Sequence, residues 1–364
     1  MPSEQIDEAL DTESTVEDNT STLIHPPTPM GFWAFLRAKE HWRWWLIYAI
    51  GSYLVLFEKI KYLEVYKHYR VNWISIWESW HIAMMNGKVG APSQYRILTT
   101  LLAECLQPFG ISAFVSYLLI RFFCTLATCI VLHWFWRRWL HDTECFFGVM
   151  LFLLYYSMSL LGLIQPSEPL NILFFAICIT LLQHRKWLPF YICLFIGAFN
   201  KLTLVFLAPL AFFFLFIDAP QRNRKVFLTS GLHAVCIFAL VLTARFLVIA
   251  QVGQKKYATT LWKWQENLDW FTVSPAPWNV IPVALIPMVI IWFTWKKQPK
   301  MVQAHGLMLP LFSIGHFAIS LLAEIRTFIV TLCLSIPALI IWLRTDNTSS
   351  PTSPSSVENR HPQS

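Results

Sequence analysis

Charge is what this chain of 364 residues has least of, with Asp, Glu, Lys and Arg together making up 13%. A soluble domain usually carries about twice that share, so an ordinary water-facing surface is excluded. Also lacking are a CxxC pair, a histidine-rich cluster, an internal repeat and any clustered nucleic-acid-binding feature. Seven of the eight cysteines (Cys124, Cys129, Cys145, Cys178, Cys193, Cys236 and Cys333) lie inside apolar runs. That placement predicts buried structural thiols rather than disulfides or a metal centre. His133 and His184 fall near the ends of apolar runs, and His233, His305 and His316 within them, without metal-ligand spacing. Residues 1–30 contain seven acids and no Lys or Arg, and no apolar run opens the chain as a cleavable signal would.

What the chain does contain is apolar bulk. Hydrophobic residues make up 56%, with 18 Trp and 29 Phe, and the mean hydropathy is +0.49. These values predict an all-α, multi-pass membrane protein. About ten hydrophobic spans are expected, centred near Ala49, Thr125, Leu153, Ala176, Leu194, Leu207, Phe238, Leu285, Leu311 and Leu334. Residues 1–30 read as a disordered acidic cytoplasmic tail, 31–345 as the transmembrane helical domain and 346–364 as a disordered C-terminal tail. Arg137 and Arg138, Arg185 and Lys186, the run Arg222–Lys225, Lys296–Lys300 and Arg344 all follow even-numbered spans. Cytoplasmic placement of these cations, with both termini, gives one consistent topology. The formal charge of +7 becomes +14 once the acidic tail is set aside, which suits anionic headgroups and phosphate.

The first outward loop, about Glu58 to Gly110, is expected to hold two interfacial helices. Trp73, Trp77, Trp80 and Met84 recur at helical spacing, with Asn86-Gly87 as the stop. In GKVGAPSQYRILTTLLAECLQP, Pro92 and Ser93 suggest a turn and N-cap. Ile97, Leu98, Leu101, Leu102 and Cys105 then make an apolar face, and Arg96, Thr100 and Glu104 a polar stripe. The segment is too short to span and is placed in the interface, apolar side down.

Polar groups in such a chain call for a reason, since an ionisable side chain mid-membrane costs about 2.5–3.5 kcal/mol on insertion scales. Arg121, Arg245, Glu168 with Asn171, Asn200 with Lys201 and Thr203, and Glu324 with Arg326 all map to the outward half, as do Arg96 and Glu104. Each has a second reading: Arg121 and Arg245 as bundle ion pairs, Lys201 as a snorkelling cation, Glu168 as a helix-start carboxylate, and Glu324–Arg326 as an interfacial pair. Taken together they suit a phosphate or diphosphate headgroup held by cations, beside a carboxylate that accepts a hydroxyl proton.

The box QYRILTTLLAE resembles the YRxLTPLL box of a group of bacterial multi-pass proteins. GAFNKLT is similar to their NKET segment, AEIR to a late E-x-R box, and QPSEPLN to a short acidic outer loop. These proteins are similar in layout to glycosyltransferases of the GT-C class, which use lipid-linked sugar donors and an acid in the first outer loop. The resemblance implies transfer of a sugar from a polyprenyl-phosphate donor at the outer face of a bacterial inner membrane, with membrane lipid but no nucleic acid as a partner. The first outer loop here has no Asp, so the base role that the resemblance implies falls to Glu58, Glu64, Glu78 or Glu104, with Glu78 in WESW preferred for its place in an interfacial helix. Arg96, Lys201 and Arg326 would contact phosphate, and Glu104, Glu168 and Glu324 would position them or bind hydroxyls. Arg121, Asn200 and Arg245 complete the expected substrate-binding set. A divalent metal is compatible with the class but has no signature here. Two positions depart from the boxes: Thr100 replaces the proline, and Leu202 stands at the acidic position of NKET. The alternatives are a transporter or flippase of a lipid-linked or anionic solute, and a noncatalytic envelope-polysaccharide assembly protein.

Overall fold

The computed structural model describes residues 31–67, 73–90, 93–159, 167–254, 264–273, 281–319 and 328–347. Among the described residues the chain is helical throughout and has no strand. The α-helices are α1 (Phe32–Arg37), α2 (Trp42–Lys67), α3 (Trp73–Met85), α4 (Ile97–Glu104), α5 (Ala113–Trp136), α6 (Asp142–Ser159) and α7 (Glu168–Gln183). They continue as α8 (Trp187–Ala198), α9 (Leu207–Asp218), α10 (Arg224–Val252), α11 (Trp264–Val273), α12 (Ile286–Phe293), α13 (Lys300–Ile319) and α14 (Ile329–Asn347). Each of the ten expected span centres falls in one of these helices or, for Leu285, in the wider helical turn that leads into α12. Among the described residues, two helices are long and apolar enough to cross a membrane by length and composition, Ala113–Trp136 and Arg224–Val252, and further apolar helices are shorter.

Local chemistry sets several of the boundaries. Ser112 and Asn223 cap α5 and α10 by accepting hydrogen bonds from the Val115 and Val226 amides. Gly87, with φ of 64°, closes α3 in the left-handed conformation, and the Lys88 amide returns to the Ala83 carbonyl. α7 opens on Glu168 and Pro169, a carboxylate and a proline where the unpaired amides of a first turn favour both. One apolar core runs through α2, α5 to α10 and α12 to α14, and a smaller one joins Trp77 of α3 and Ala103 of α4 to α5 and Leu170.

Several of the basic loop residues gather at one end of the bundle and find partners there. Arg137 contacts Asp142 at 2.5 Å, Arg344 lies 3.6 Å from Glu144, Arg185 pairs with Asp218, and Arg138 donates to His184 Nδ1 at 3.1 Å. At this end Phe35 of α1 is fully buried against His41, Trp45 and His133.

Three sequence expectations change in the folded chain. α2 continues through Lys67, so ten residues assigned to the first loop are helix. Ser93 is not the N-cap of α4: it starts a single 3-10 turn, and the helix begins after Arg96, whose φ and ψ of −103° and 57° break the run. Tyr95, just before the break, is buried against Val248 of α10. The Trp stripe of α3 also turns inward: Trp77 and Trp80 pack edge-on against Tyr117 of α5, while Ile74, Ile76 and Ile82 are exposed. Aromatic rings gain more from a packed edge-to-face partner than isoleucine does, and the helix rotates accordingly.

Candidate functional site

The end of the bundle opposite the basic cluster is where the polar side chains meet. Its centre is a buried ion pair. Lys201 Nζ lies 2.6 and 2.8 Å from the two carboxylate oxygens of Glu168, and the side chains are 7% and 1% exposed. The pair forms because α8 stops at Ala198 and the chain passes through Asn200 and an extended Lys201 before the 3-10 turn Leu202–Phe206 leads into α9. That sharp reversal sets both side chains against the start of α7. Gly197 makes it possible, since a Cβ there would come within 2.7 Å of Leu204 and 2.8 Å of Phe174.

Asn200, fully buried, ties three elements together. Its amide donates to the Ser167 carbonyl at 2.7 Å, and its oxygen accepts from the Thr99 hydroxyl of α4 at 2.5 Å. Beside it the Thr203 hydroxyl donates to Asn171 Oδ1 at 3.0 Å. Each of these satisfies a polar group that would be costly to bury alone. Arg121 is buried on α5, and both it and Glu168 act electrostatically on Tyr156 of α6. His316 of α13 is buried among Phe206, Phe312 and Phe328 and feels both Lys201 and Glu168. Side chains from α4, α5, α6, α7, α13 and the α8–α9 junction therefore share one neighbourhood.

α4 links this centre to a second polar group. Thr99, Thr100 and Ala103 are its buried residues, while Leu101 and Leu102 are exposed, so the middle of its polar stripe, at Thr100, faces protein. Thr100 sits beside the Tyr117 hydroxyl. His81 of α3, 3% exposed, contacts Tyr117 through Nδ1 at 2.8 Å and Glu104 Oε2 through Nε2 at 2.7 Å. Gln107 donates to the same Glu104 oxygen at 2.7 Å and lies 2.6 Å from His81 Nε2. The Glu104 side chain remains 45% exposed.

The other expected site residues divide as follows. Arg245 of α10 stacks its guanidinium 3.5 Å from the centre of the Tyr95 ring, and Arg96 follows that tyrosine, half-buried. Glu78 is half-buried on α3, one turn before His81. Glu324 and Arg326 lie outside the described residues. Sequence reasoning missed His81, Tyr117, Gln107, Thr99, Ser167 and His316. The one signal for His81 was its position on the Trp77–Met84 face of α3. Groups of three or more His, Cys, Asp or Glu residues that could hold a metal ion are absent among the described residues.

No family model, curated protein or solved structure matches the chain.

Proposed function

We propose that the chain is a polytopic membrane protein of the bacterial inner membrane, with about ten spans, a GT-C-like layout and both termini cytoplasmic. In this reading it transfers a sugar from a polyprenyl-phosphate donor to an acceptor at the outer face. Two observations support the membrane assignment. Large apolar side chains stand exposed along α2, α6, α8 and α10, including Leu54, Leu154, Leu188, Leu232 and Phe246, far more than a water-soluble monomer tolerates. Arg137, Arg138, Arg185 and Arg344 from the loops, by contrast, find partners at one end of the bundle, as a cytoplasmic face would present them.

The observation that carries the reaction is the convergence of Glu168, Asn200, Lys201, Thr99 and Arg121 at the other end. Lys201 and Arg121 are fixed cations for a phosphate headgroup and for the negative charge that grows on it as it leaves the sugar. Glu168 holds Lys201 in place. Arg96 and Arg245 extend the cationic side, and the AEIR box makes Arg326 and Glu324 the further candidates to test. A divalent metal is not required by this set.

The test is transfer in nanodiscs from a radiolabelled polyprenyl-phosphate sugar, with thermal unfolding to confirm that each variant is folded. Arg96→Ala, Lys201→Ala and Arg326→Ala are each expected to lower turnover by about 10²-fold or more, the usual loss for a charge-stabilising donor. Wild-type rates in Arg96→Ala and Arg326→Ala remove them from the site, and no product from any donor removes the reaction. A transporter or flippase is the second reading, favoured by the depth of the Lys201–Glu168 pair and its neighbour His316. Movement of a lipid-linked or anionic solute across liposomes without a covalent product would select it.

A further inference from the structure

The four side chains Tyr117, His81, Glu104 and Gln107 do more than fill space between α3, α4 and α5. Tyr117 Oη lies 2.8 Å from His81 Nδ1, and His81 Nε2 lies 2.7 Å from Glu104 Oε2 and 2.6 Å from Gln107 Nε2. In the tautomer that serves Glu104, the hydroxyl donates to Nδ1 and the imidazole proton sits on Nε2. Gln107 supplies a second N–H to that same oxygen. One carboxylate oxygen is thereby committed inward, and the carboxylate stays half-exposed, free to rest its outer oxygen against a ligand. Three helices and a turn are used to hold one acid in one orientation. A solvated surface glutamate does not need that.

We propose that Glu104 is the proton acceptor of the site and that His81 is its positioning residue, in place of the sequence-expected Glu78. The inference rests on the transferase reading above. In the step, the acceptor O–H bond breaks and its proton passes to the outer oxygen of Glu104. The acceptor oxygen forms the new bond to the anomeric carbon, and the bond from that carbon to the donor phosphate breaks. The electron pair leaves on the polyprenyl phosphate, where Lys201 and Arg121 stand. His81 keeps its Nε2 proton throughout and holds the inner oxygen. The spacing of α4 suits this division: Thr100 and Glu104, one turn apart, face Tyr117 and His81, while Thr99 is bonded to Asn200 next to Lys201.

The experiment uses the full chain in nanodiscs and the polyprenyl-phosphate sugar assay, with unfolding temperature as the fold control. Glu104→Gln is expected to lose about 10²–10⁴-fold in turnover, the range for a removed general base. Glu104→Ala should recover part of it with added formate, a small carboxylate that can occupy the space. His81 is separated from a packing role by two substitutions. His81→Gln keeps an N–H near the Nε2 position and should retain most of the rate. His81→Phe keeps the ring volume but no donor, and should fall with turnover rather than KM. His81→Phe combined with Glu104→Gln should be no slower than Glu104→Gln alone, because the two act as one unit. A wild-type rate in Glu104→Gln, or His81→Phe outperforming His81→Gln, overturns the inference while leaving the transferase intact. No transfer by the unmodified chain overturns both.

Discussion

Lys201 and Glu168 hold each other by two short contacts in a region that water barely reaches, and this fixes what substitution at either will do. Removing one partner strands the other as a buried charge, at a cost of about 3–5 kcal/mol. Lys201→Met or Glu168→Gln alone should therefore lower the unfolding temperature sharply, and the double substitution should recover much of the loss. Chemical or thermal denaturation of the three variants reads this directly, and additive losses would show the pair to be energetically independent. These two residues were legible in the sequence because a charge in an apolar stretch needs a partner. The partner itself was not, since nothing in QPSEPLN or GAFNKLT says that the two segments touch. Thr99, His81 and Tyr117 were less visible still: each is an unremarkable side chain until three helices bring its hydrogen-bond partner within 3 Å.

At the scale of elements, periodicity gave the helices reliably and their orientation poorly. α3 and α4 fall where the spacing of Trp77, Met84 and Leu101 places them, yet α3 packs its aromatic stripe on α5 and leaves isoleucines outside. An amphipathic pattern assumes water on one side and oil on the other. In the proposed membrane setting protein, lipid and headgroup would compete for the same faces, and the pattern alone cannot say which takes which. The α8–α9 junction shows the reverse, a local feature with a sharp requirement. Gly197→Ala would push a methyl group into Leu204 and Phe174 and should cost about 1–3 kcal/mol. The same change should loosen Asn200 and Lys201, measurable as faster backbone hydrogen exchange from 198 to 206; an unchanged exchange pattern would mean that the junction yields without strain.

The basic end of the bundle carries a pH dependence of known sign. Burial holds His41 below the usual histidine value, opposed by Asp142 and reinforced by Arg137 and His133. Burial and then the Arg138 and Lys186 cations do the same for His184 after α7. An imidazole with a depressed folded pKa stabilises the fold fully above about pH 6.5, and that contribution is lost as the pH falls below it. The unfolding temperature should therefore drop between pH 7.5 and 5.5, and His184→Gln should flatten part of the slope. A wild-type profile without a slope would remove both histidines from the balance.

For the molecule as a whole, the exposed apolar flanks and the segregated charges make orientation the quantity to measure. Cys105, at the end of α4, is exposed, whereas the other described cysteines are buried or half-buried. A membrane-impermeant maleimide should label Cys105 in intact cells, and a cysteine introduced as Arg222→Cys only after permeabilisation. The opposite pattern would invert the topology and move the polar site to the cytoplasm.

The 29 residues of α10 measure about 44 Å at 1.5 Å per residue, against a hydrocarbon layer of about 30 Å. In the proposed membrane such a rod would lean, and its lean would change with the thickness of the lipid around it. Arg245 and Val248, close to one tip, grip Tyr95, and Tyr95 sits at the hinge where α4 departs. In that setting a stretch or thinning of the bilayer would be delivered to the helix that carries Glu104 and Thr99. Acyl-chain length alone, with no change of headgroup, should tune the rate.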